Sequence, residues 1–450
     1  MPYDLGIIGA GPAGYVAAER AGSKGLSTVL FDKQFIGGVC LNEGCIPTKT
    51  LLHTAKLYEY AKEGKKYGLD LEGVSYDISR LMQRKNKMVK KLVGGIKSQL
   101  KNSKVEMVME EATILEKNSD HIKIQAGDSI HECRNLLIST GSETFFPPIP
   151  GLKKENVYTN REILQIEEIP DEMTIIGGGV IGIEFADFFA TMGTKVTVIE
   201  MLDEIISGMD RELAAMLRKT LAKKGVDIKL SAKVTQMNSK EITYEANGEE
   251  QTISSNHILL SAGRKPVIEL PGIEKLDIEY DRNGIKIDEY CRTNTPHVYA
   301  AGDVTGYSLY AHTASREGEV AVNHMVGKKD LMRYEAVPAV VYTHPEVSGV
   351  GITEEAAQEK NITYEVRSLP MAYAGRYLIE NEGVNGLCKI LVGKQYGNIL
   401  GIHVLGSPGS EIIFGGAMAI EQQLTIEEFQ EMVFPHPTVS EIFKETAFKK

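Results

Sequence analysis

The sequence has few cysteines, no long apolar run and no excess of basic residues. Five cysteines spread over 450 residues are too few and too uneven for a disulfide framework, so any paired cysteines are catalytic rather than structural. Acidic residues outnumber basic ones, 61 against 50, and the formal charge of −11 argues against binding to nucleic acid. Neither a basic leader with a cleavage site nor an uncharged apolar run of about eighteen residues is present. We therefore expect a cytoplasmic protein that does not bind a membrane.

Short apolar runs alternate with helix-length stretches, which predicts an α/β fold with mostly parallel sheets. One pattern occurs twice, because residues 3–14 and 173–182 each lead from an apolar strand into closely spaced glycines and a helix. Prolines after two later apolar runs mark the chain leaving a sheet, and the pattern changes again near residue 336. We expect two Rossmann-like dinucleotide-binding domains and a C-terminal α+β domain. The first dinucleotide-binding domain is expected to comprise residues 1–145 and 266–335, the second residues 146–265, and the C-terminal domain residues 336–450.

The first glycine-rich segment has the spacing of a dinucleotide-binding fingerprint. Gly9, Gly11 and Gly14 place small residues where the backbone must turn tightly and approach a pyrophosphate at a helix N-terminus. Asp32 ends the next predicted strand, where a carboxylate can accept hydrogen bonds from a ribose diol. Strand, glycines, helix, strand and acid follow in order, which favours a nucleotide site over an ordinary turn.

The second copy of the pattern predicts a second nucleotide site. Gly177, Gly179 and Gly182 are followed by a strand that ends at Glu200. A carboxylate at this position repels a 2′-phosphate, so NAD is favoured over NADP. Two dinucleotide sites in one chain indicate a flavin paired with a nicotinamide.

Two cysteines lie five residues apart in a glycine-rich segment. In an undistorted α-helix that spacing gives Cys40 and Cys45 a rise of about 7.5 Å, beyond the Cα separation of about 4.4–6.8 Å that a disulfide tolerates. A bridge therefore requires a break in the helix, which Gly44 and Pro47 permit. The alternative is two separate buried thiols. The other three cysteines are expected in the core.

Five segments together resemble the FAD-dependent pyridine-nucleotide disulfide oxidoreductases. The resemblance covers nearly the whole chain and is most specific in residues 37–49, 295–303, 309–318, 342–351 and 436–441. It implies that residues 1–145 with 266–335 bind FAD, that residues 146–265 bind NAD, and that residues 336–450 form a dimerisation domain.

The resemblance also implies roles for single residues near the thiols. Cys40 would exchange with the substrate sulfur, and Cys45 would face the flavin. Lys49 would lie beside the flavin and pair with Glu184. Asp303 would bind the ribityl hydroxyls. Further cofactor contacts implied in the same way are Thr140, Gly141, Gly302, Ala311 and Gly263.

A histidine and a glutamate near the C-terminus complete the implied set. His436 matches the acid/base of the family, and an imidazole suits the transfer of a thiol proton near neutral pH. Glu441 would hold the other ring nitrogen. In the family this histidine reaches the cysteines of the neighbouring subunit, which implies a homodimer.

The implied activity is NAD-linked reoxidation of dihydrolipoyl groups. We expect another protein to carry the lipoyl group, as a component of a 2-oxoacid dehydrogenase, acetoin or glycine cleavage complex. Two alternatives remain: a disulfide reductase similar to glutathione reductase and dependent on NAD(P)H, or a non-catalytic FAD-bearing redox sensor or scaffold.

Overall fold

The computed structural model describes residues 1–449, which form two compact units. Unit 1 consists of residues 1–50, 79–145 and 263–333, and unit 2 of residues 51–78, 146–262 and those from 334 onward. The chain passes between the units after residues 50, 78, 145, 262 and 333. The predicted domain bounds stay predictions. Residues 146–262 and the C-terminal region belong to one unit by their contacts. Their division into two domains stays a prediction.

Helices and strands alternate as predicted for an α/β protein. The α-helices are α1 Pro12–Ser23, α2 Gly38–Glu43, α3 Cys45–Lys62, α4 Ile78–Asn102, α5 Asn160–Ile163, α6 Val180–Met192, α7 Arg211–Lys223, α8 Ala311–Met325, α9 Glu354–Glu359, α10 Gly375–Glu380, α11 Gly409–Glu421, α12 Ile426–Glu431 and α13 Glu441–Phe448. Of the helices within residues 1–449, none combines the length and the apolar character needed to cross a bilayer.

The strands range from two to ten residues in length. They are β1 Tyr3–Ile8, β2 Thr28–Phe31, β3 Glu106–Val108, β4 Ala112–Lys117, β5 Ile122–Ala126, β6 Ser129–Ile138, β7 Ser142–Thr144, β8 Glu172–Ile176, β9 Lys195–Ile199, β10 Asp227–Lys229, β11 Ala232–Met237, β12 Glu241–Ala246, β13 Glu249–Ser254, β14 Ile258–Leu260, β15 Arg264–Pro266, β16 Tyr280–Asp281, β17 Gly284–Ile285, β18 Val298–Ala300, β19 Ala339–Val341, β20 Val347–Gly351, β21 Tyr364–Pro370, β22 Leu387–Gly393 and β23 Ile399–Leu405.

Unit 1 is built on a seven-stranded sheet in the order β3-β2-β1-β6-β5-β4, with β18 also paired to β6. Strands β1, β2, β3, β6 and β18 pair in parallel, whereas β4 and β5 run antiparallel. All four residues of β2 are buried, as expected for a parallel strand covered on both faces. Helices α1 and α8 pack together on one face. The carboxyl ends of β1, β2, β6 and β18 meet at one edge, where ligands bind in such sheets.

Unit 2 contains three sheets. Its parallel sheet has the order β10-β9-β8-β14, and β11, β12 and β13 form an antiparallel meander. The C-terminal region adds an antiparallel sheet in the order β19-β20-β23-β22-β21, on which α11 and α13 pack. The predicted α/β class, with two Rossmann-like sheets and a C-terminal α+β region, is confirmed.

Candidate active site

The loop between β1 and α1 forms a tight turn with an open backbone. Gly9 has φ of +105°, and a Cβ there would clash with the carbonyl of Ser139. A Cβ on Gly14 would clash with the carbonyl oxygen of Gly9, so α1 approaches the strand this closely only because the side chain is absent. At Gly11 a Cβ would meet nothing nearer than the Cα of Gly38, at 3.9 Å. This open backbone at the start of α1 fits a pyrophosphate.

Asp32 is held at the end of β2 by three backbone N–H groups. Its Oδ2 accepts from Ala10 at 2.8 Å, and its Oδ1 accepts from Gln34 at 2.8 Å and Phe35 at 3.0 Å. A carboxylate offers about four acceptor positions, so Oδ2 can also accept a ribose hydroxyl. A cavity of about 130 Å³ lies beside the carboxylate and includes Thr140 in its lining. Asp32 therefore fits the predicted role.

The turn after β18 carries a second carboxylate. The Ser142 hydroxyl donates to Oδ2 of Asp303, and Nε of Arg264 donates to that hydroxyl at 2.7 Å. Burial raises the pKa of Asp303, against the opposing effects of the Ser142 hydrogen bond and the Arg264 charge. The backbone N–H of Gly302 donates to Oε2 of Glu317 at 2.5 Å. These contacts fix the position of the turn.

Sequence reasoning missed three residues of this arrangement. Ser142 and Arg264 lie on β7 and β15, which pair antiparallel, and Nη2 of Arg264 donates to the Ser142 carbonyl at 2.6 Å. Glu317 is completely buried in α8. A signal for Glu317 was present, because it lies in residues 309–318, one of the segments that carried the family resemblance.

The remaining residues of unit 1 that are predicted to contact a cofactor lie near the same sheet edge or on the adjoining strands. The Thr140 hydroxyl donates to the Val267 carbonyl at 2.6 Å, and the Gly141 carbonyl accepts from the Val267 N–H at 2.9 Å. Gly263 has φ of +110° and precedes β15, and Ala311 is the first residue of α8. Their contact with a cofactor stays a prediction.

The two cysteines lie on either side of a helix break. Helix α2 ends at Glu43, Gly44 has a non-helical conformation with φ of −144° and ψ of −114°, and α3 begins at Cys45. This is the interruption that the spacing of the cysteines requires. A side-chain hydrogen bond joins Cys40 and Cys45, and both side chains are partly buried. The two thiols are therefore neither separate nor fully buried.

The three remaining cysteines are buried, as predicted. They are Cys133, Cys291 and Cys388.

The surroundings of the thiol pair have opposing effects on the pKa of Cys40. The hydrogen bond with Cys45 and then burial raise the pKa of Cys40, whereas the positive charge of Lys49 lowers it. Lys49 lies one turn beyond Cys45 in α3. Burial and then the two cysteines raise the pKa of Tyr15, which places this α1 side chain near the pair. The structure thus brings together in unit 1 the predicted cysteines and lysine.

The loop between β8 and α6 repeats the geometry of the first one. Gly177 has φ of +107°, and a Cβ there would clash with the carbonyl of Ser261. A Cβ on Gly182 would clash with the carbonyl oxygen of Gly177, whereas one on Gly179 would have no neighbour within 4 Å. The same fit to a pyrophosphate therefore holds in unit 2.

Glu200 occupies the position that corresponds to Asp32. Its Oε2 accepts from the Gly178 N–H at 2.5 Å, and its Oε1 accepts from the Leu202 N–H at 2.7 Å. A carboxylate fixed here can bind a ribose diol and repels a 2′-phosphate. This geometry agrees with NAD rather than NADP.

Glu184 is buried in α6, and its Oε1 accepts from the Tyr342 N–H at 3.0 Å. Lys49, its predicted partner, belongs to the other compact unit. The pairing of the two residues stays a prediction.

The predicted histidine and glutamate contact each other in unit 2. Nδ1 of His436 lies 2.9 Å from Oε1 of Glu441, whose Oε2 accepts from the Thr438 N–H at 2.8 Å. The Thr438 N–H and then His436 hold the pKa of Glu441 below its usual value. The His436 side chain is 80% exposed. Glu441 can therefore orient an imidazole that a second molecule can reach.

Two nucleotide loops, a contacting thiol pair and an oriented histidine define a class of enzyme: flavoproteins that exchange electrons between dithiols and a pyridine nucleotide. Residues 3–318 match the family described as pyridine nucleotide-disulphide oxidoreductase, and residues 337–447 match its dimerisation domain. The chain belongs to this family. The cofactors of the family are FAD and NAD, as predicted, and the two glycine loops fit them.

Proteins from four bacteria resemble the chain over nearly its full length. The dihydrolipoyl dehydrogenase of Mycoplasma genitalium is 37% identical over 457 residues, covering 100% of this chain and 98% of that protein. The dihydrolipoyl dehydrogenase of Geobacillus stearothermophilus is 37% identical over 449 residues, covering 98% and 94%. The crystal structure of LpdA from Mycobacterium tuberculosis is 25% identical with a TM-score of 0.90 and 98% coverage of both chains. The HOCl-induced flavoprotein disulfide reductase RclA from Escherichia coli is 27% identical with a TM-score of 0.86 and 100% coverage of both.

Matched substitutions at the two glycine loops separate the two nucleotide sites. We expect Gly14→Ala to be purified with less than about a tenth of the normal flavin, because the added methyl group must push α1 away from β1. Gly182→Ala should keep its flavin and bind NADH about tenfold more weakly. Flavin absorbance per protein and NADH titration measure the two effects. Equal flavin loss in both variants would contradict the assignment of separate sites.

Proposed function

We propose that this protein is a dihydrolipoyl dehydrogenase, which oxidises protein-bound dihydrolipoyl groups with NAD+. The observation that carries the proposal is the contact between the thiols of Cys40 and Cys45 across the helix break at Gly44. Only two cysteines whose thiols are in contact can alternate between a dithiol and a disulfide. The full-length similarity to dihydrolipoyl dehydrogenases from two bacteria supports the same substrate.

Each cofactor would be held by one of the two similar loops. Gly9, Gly11 and Gly14 would hold the FAD pyrophosphate in unit 1, where Asp32 and Asp303 offer carboxylates to its hydroxyls. In unit 2, four residues would hold NAD: Gly177, Gly179, Gly182 and Glu200. When bound, FAD and NAD+ supply the successive acceptors for the electron pair collected by the two thiols.

Oxidation of the substrate is a thiol–disulfide exchange. A substrate thiolate attacks Cys40 of the Cys40–Cys45 disulfide, forms a mixed disulfide and releases Cys45 as a thiolate. The second substrate thiolate then attacks the substrate sulfur of this mixed disulfide. The lipoyl disulfide closes, and Cys40 is released as a thiolate. The substrate loses two electrons and two protons, and the cysteine pair gains the electrons. The hydrogen bond with Cys45 and burial raise the pKa of Cys40, and the positive charge of Lys49 opposes this rise and so favours the Cys40 thiolate.

Proton transfer is assigned to His436 in a homodimer. A thiol must lose its proton before it attacks, and a neutral imidazole can accept it. The exposed ring of His436 and the match of residues 337–447 to a dimerisation domain support a site completed by the partner copy. Exposed apolar side chains of the same region are expected at the dimer contact: Phe414, Met418 and Val433.

A carrier protein would present the lipoyl group within a multienzyme complex. The cytoplasmic location and the particular complex stay predictions from the sequence. A disulfide reductase that consumes a reduced pyridine nucleotide is the second candidate, because the reductase RclA shares the fold over the full chain. The carboxylate of Glu200 argues against NADPH as its donor.

Two steady-state assays distinguish these functions. We expect rapid reduction of NAD+ by dihydrolipoamide and little oxidation of NADPH by glutathione disulfide, because Glu200 repels a 2′-phosphate. NADH production and NADPH consumption, both followed by absorbance, measure the two activities. Preference for glutathione disulfide would favour the reductase, and inactivity in both assays would favour a sensor or scaffold.

Substitutions of the two thiols test their separate roles. We expect Cys45→Ser to bind FAD but to lack the long-wavelength thiolate-to-flavin absorbance on partial reduction. Cys40→Ser should retain that absorbance, because Cys45 remains next to the flavin. Both variants should fail to turn over dihydrolipoamide. A long-wavelength band in Cys45→Ser would refute the assignment.

The His436–Glu441 pair predicts a graded loss of turnover. His436→Gln should lower the turnover of dihydrolipoamide by about 100-fold or more, since a positioned acid/base is lost. Glu441→Gln should lower it less, because an amide oxygen can still accept from Nδ1. Flavin content serves as the control for folding in both variants. Unchanged turnover in His436→Gln would remove the histidine from the mechanism.

A further inference from the structure

A buried lysine in the C-terminal region contacts three carboxylates. Lys389 lies on β22 and is 2% exposed. Its Nζ lies 2.9 Å from Oδ2 of Asp210, 3.1 Å from Oε2 of Glu212 and 2.5 Å from Oε1 of Glu354. Burial lowers the pKa of Lys389, but the contacts with Glu354 and Asp210 outweigh it and raise the pKa above its usual value. The ammonium is therefore charged and holds together groups that would otherwise repel each other.

Asp210 connects this cluster to the start of α7. It is 1% exposed, and its Oδ1 accepts from the Leu213 N–H at 3.1 Å as the N-cap of the helix. Its Oδ2 forms the ion pair with Lys389. One carboxylate is thus fixed by the helix through one oxygen and by β22 through the other.

The segment that precedes Asp210 is bonded to the second nucleotide loop. Residues 201–209 join Glu200 to Asp210, and Glu200 accepts from the Gly178 N–H. Within the segment, the Ile206 N–H donates to the Gly178 carbonyl at 2.8 Å, and the Met209 N–H donates to the Ile206 carbonyl at 3.1 Å. Two successive backbone hydrogen bonds therefore link Gly178, through Ile206, to Met209, which directly precedes Asp210.

Ile206 has a backbone conformation that its side chain disfavours. Its φ is +44°, and the residue is 1% exposed. A β-branched residue with positive φ is strained and persists only where contacts on both sides hold it. Gly178 supplies the contact on one side. On the other, Asp210 lies four residues further on and is anchored by Lys389.

From these contacts we propose that Lys389 is a positioning residue for the NAD site. It holds Asp210, and through residues 201–209 it keeps Glu200 and Gly178 placed for the ribose and pyrophosphate. The C-terminal region would then set the affinity for the coenzyme as well as the dimer contact. The proposal rests on the proposed function only in taking NAD as the ligand of this loop.

The experiment compares coenzyme binding in three full-length variants. Asp210→Asn keeps the N-cap acceptor but removes the ion pair with Lys389. Lys389→Met removes the cation, and Lys394→Met changes an exposed lysine just after the same strand as a matched control. NADH titration of the purified flavoproteins gives the Kd, and steady-state assays give the KM for NAD+ and for dihydrolipoamide.

We expect Asp210→Asn and Lys389→Met to raise the Kd for NADH and the KM for NAD+ by about tenfold. The KM for dihydrolipoamide, the flavin content and the behaviour of Lys394→Met should stay within about twofold of the wild type. If Lys389→Met fails to fold, the Kd for NADH of Asp210→Asn tests the proposal by itself.

Two failures can be told apart. A wild type that does not bind NADH overturns the proposed function, because the second loop then has another ligand. A wild type that binds NADH, with Asp210→Asn binding equally well, overturns the positioning role. A lowered Tm without a change in Kd also overturns it, since the cluster would then only stabilise the fold.

Discussion

The contact between the thiols of Cys40 and Cys45 is the constraint on which the rest of the structure depends. Five residues of continuous helix would hold the two sulfur atoms apart, so the chain has to leave the helical conformation between them. Gly44 does so, and α3 restarts at Cys45. The hydrogen bond with Cys45 and then burial raise the pKa of Cys40, and the charge of Lys49, one turn later on the same helix, opposes that rise. The helix break at Gly44 therefore lets the two sulfur atoms meet, with a cation one helical turn beyond them.

The same strand-turn-helix arrangement occurs in both units of the chain. In each copy, a glycine with positive φ turns the chain out of the strand, and a later glycine allows the helix to pack against that turn. In each copy, the acid at the end of the next strand accepts a backbone N–H from the glycine loop. Asp32 and Glu200 are thus each held by the glycine loop of their own copy, which orients the carboxylates as the predicted contact with a ribose requires.

The C-terminal region acts at more than one place in unit 2. Its His436–Glu441 pair presents an exposed imidazole, and its strand β22 carries the buried Lys389. Burial of that ammonium is tolerated because three carboxylates surround it, two of them on or next to the first turn of α7. The ion pairs join β22 to the helix that follows the second nucleotide loop.

The sequence alone determined the features whose geometry is local. Glycine spacing, strand-ending acids and the sequence spacing of Cys40 and Cys45 each reflect a backbone requirement within a few residues, so the α/β class and two dinucleotide sites could be predicted. The family was indicated by the resemblance of five segments. Only the tertiary structure revealed Arg264 and Lys389, because their partners lie on elements distant in the chain. Burial decides these contacts, since a charged side chain withdrawn from water needs a partner that only the folded chain brings near.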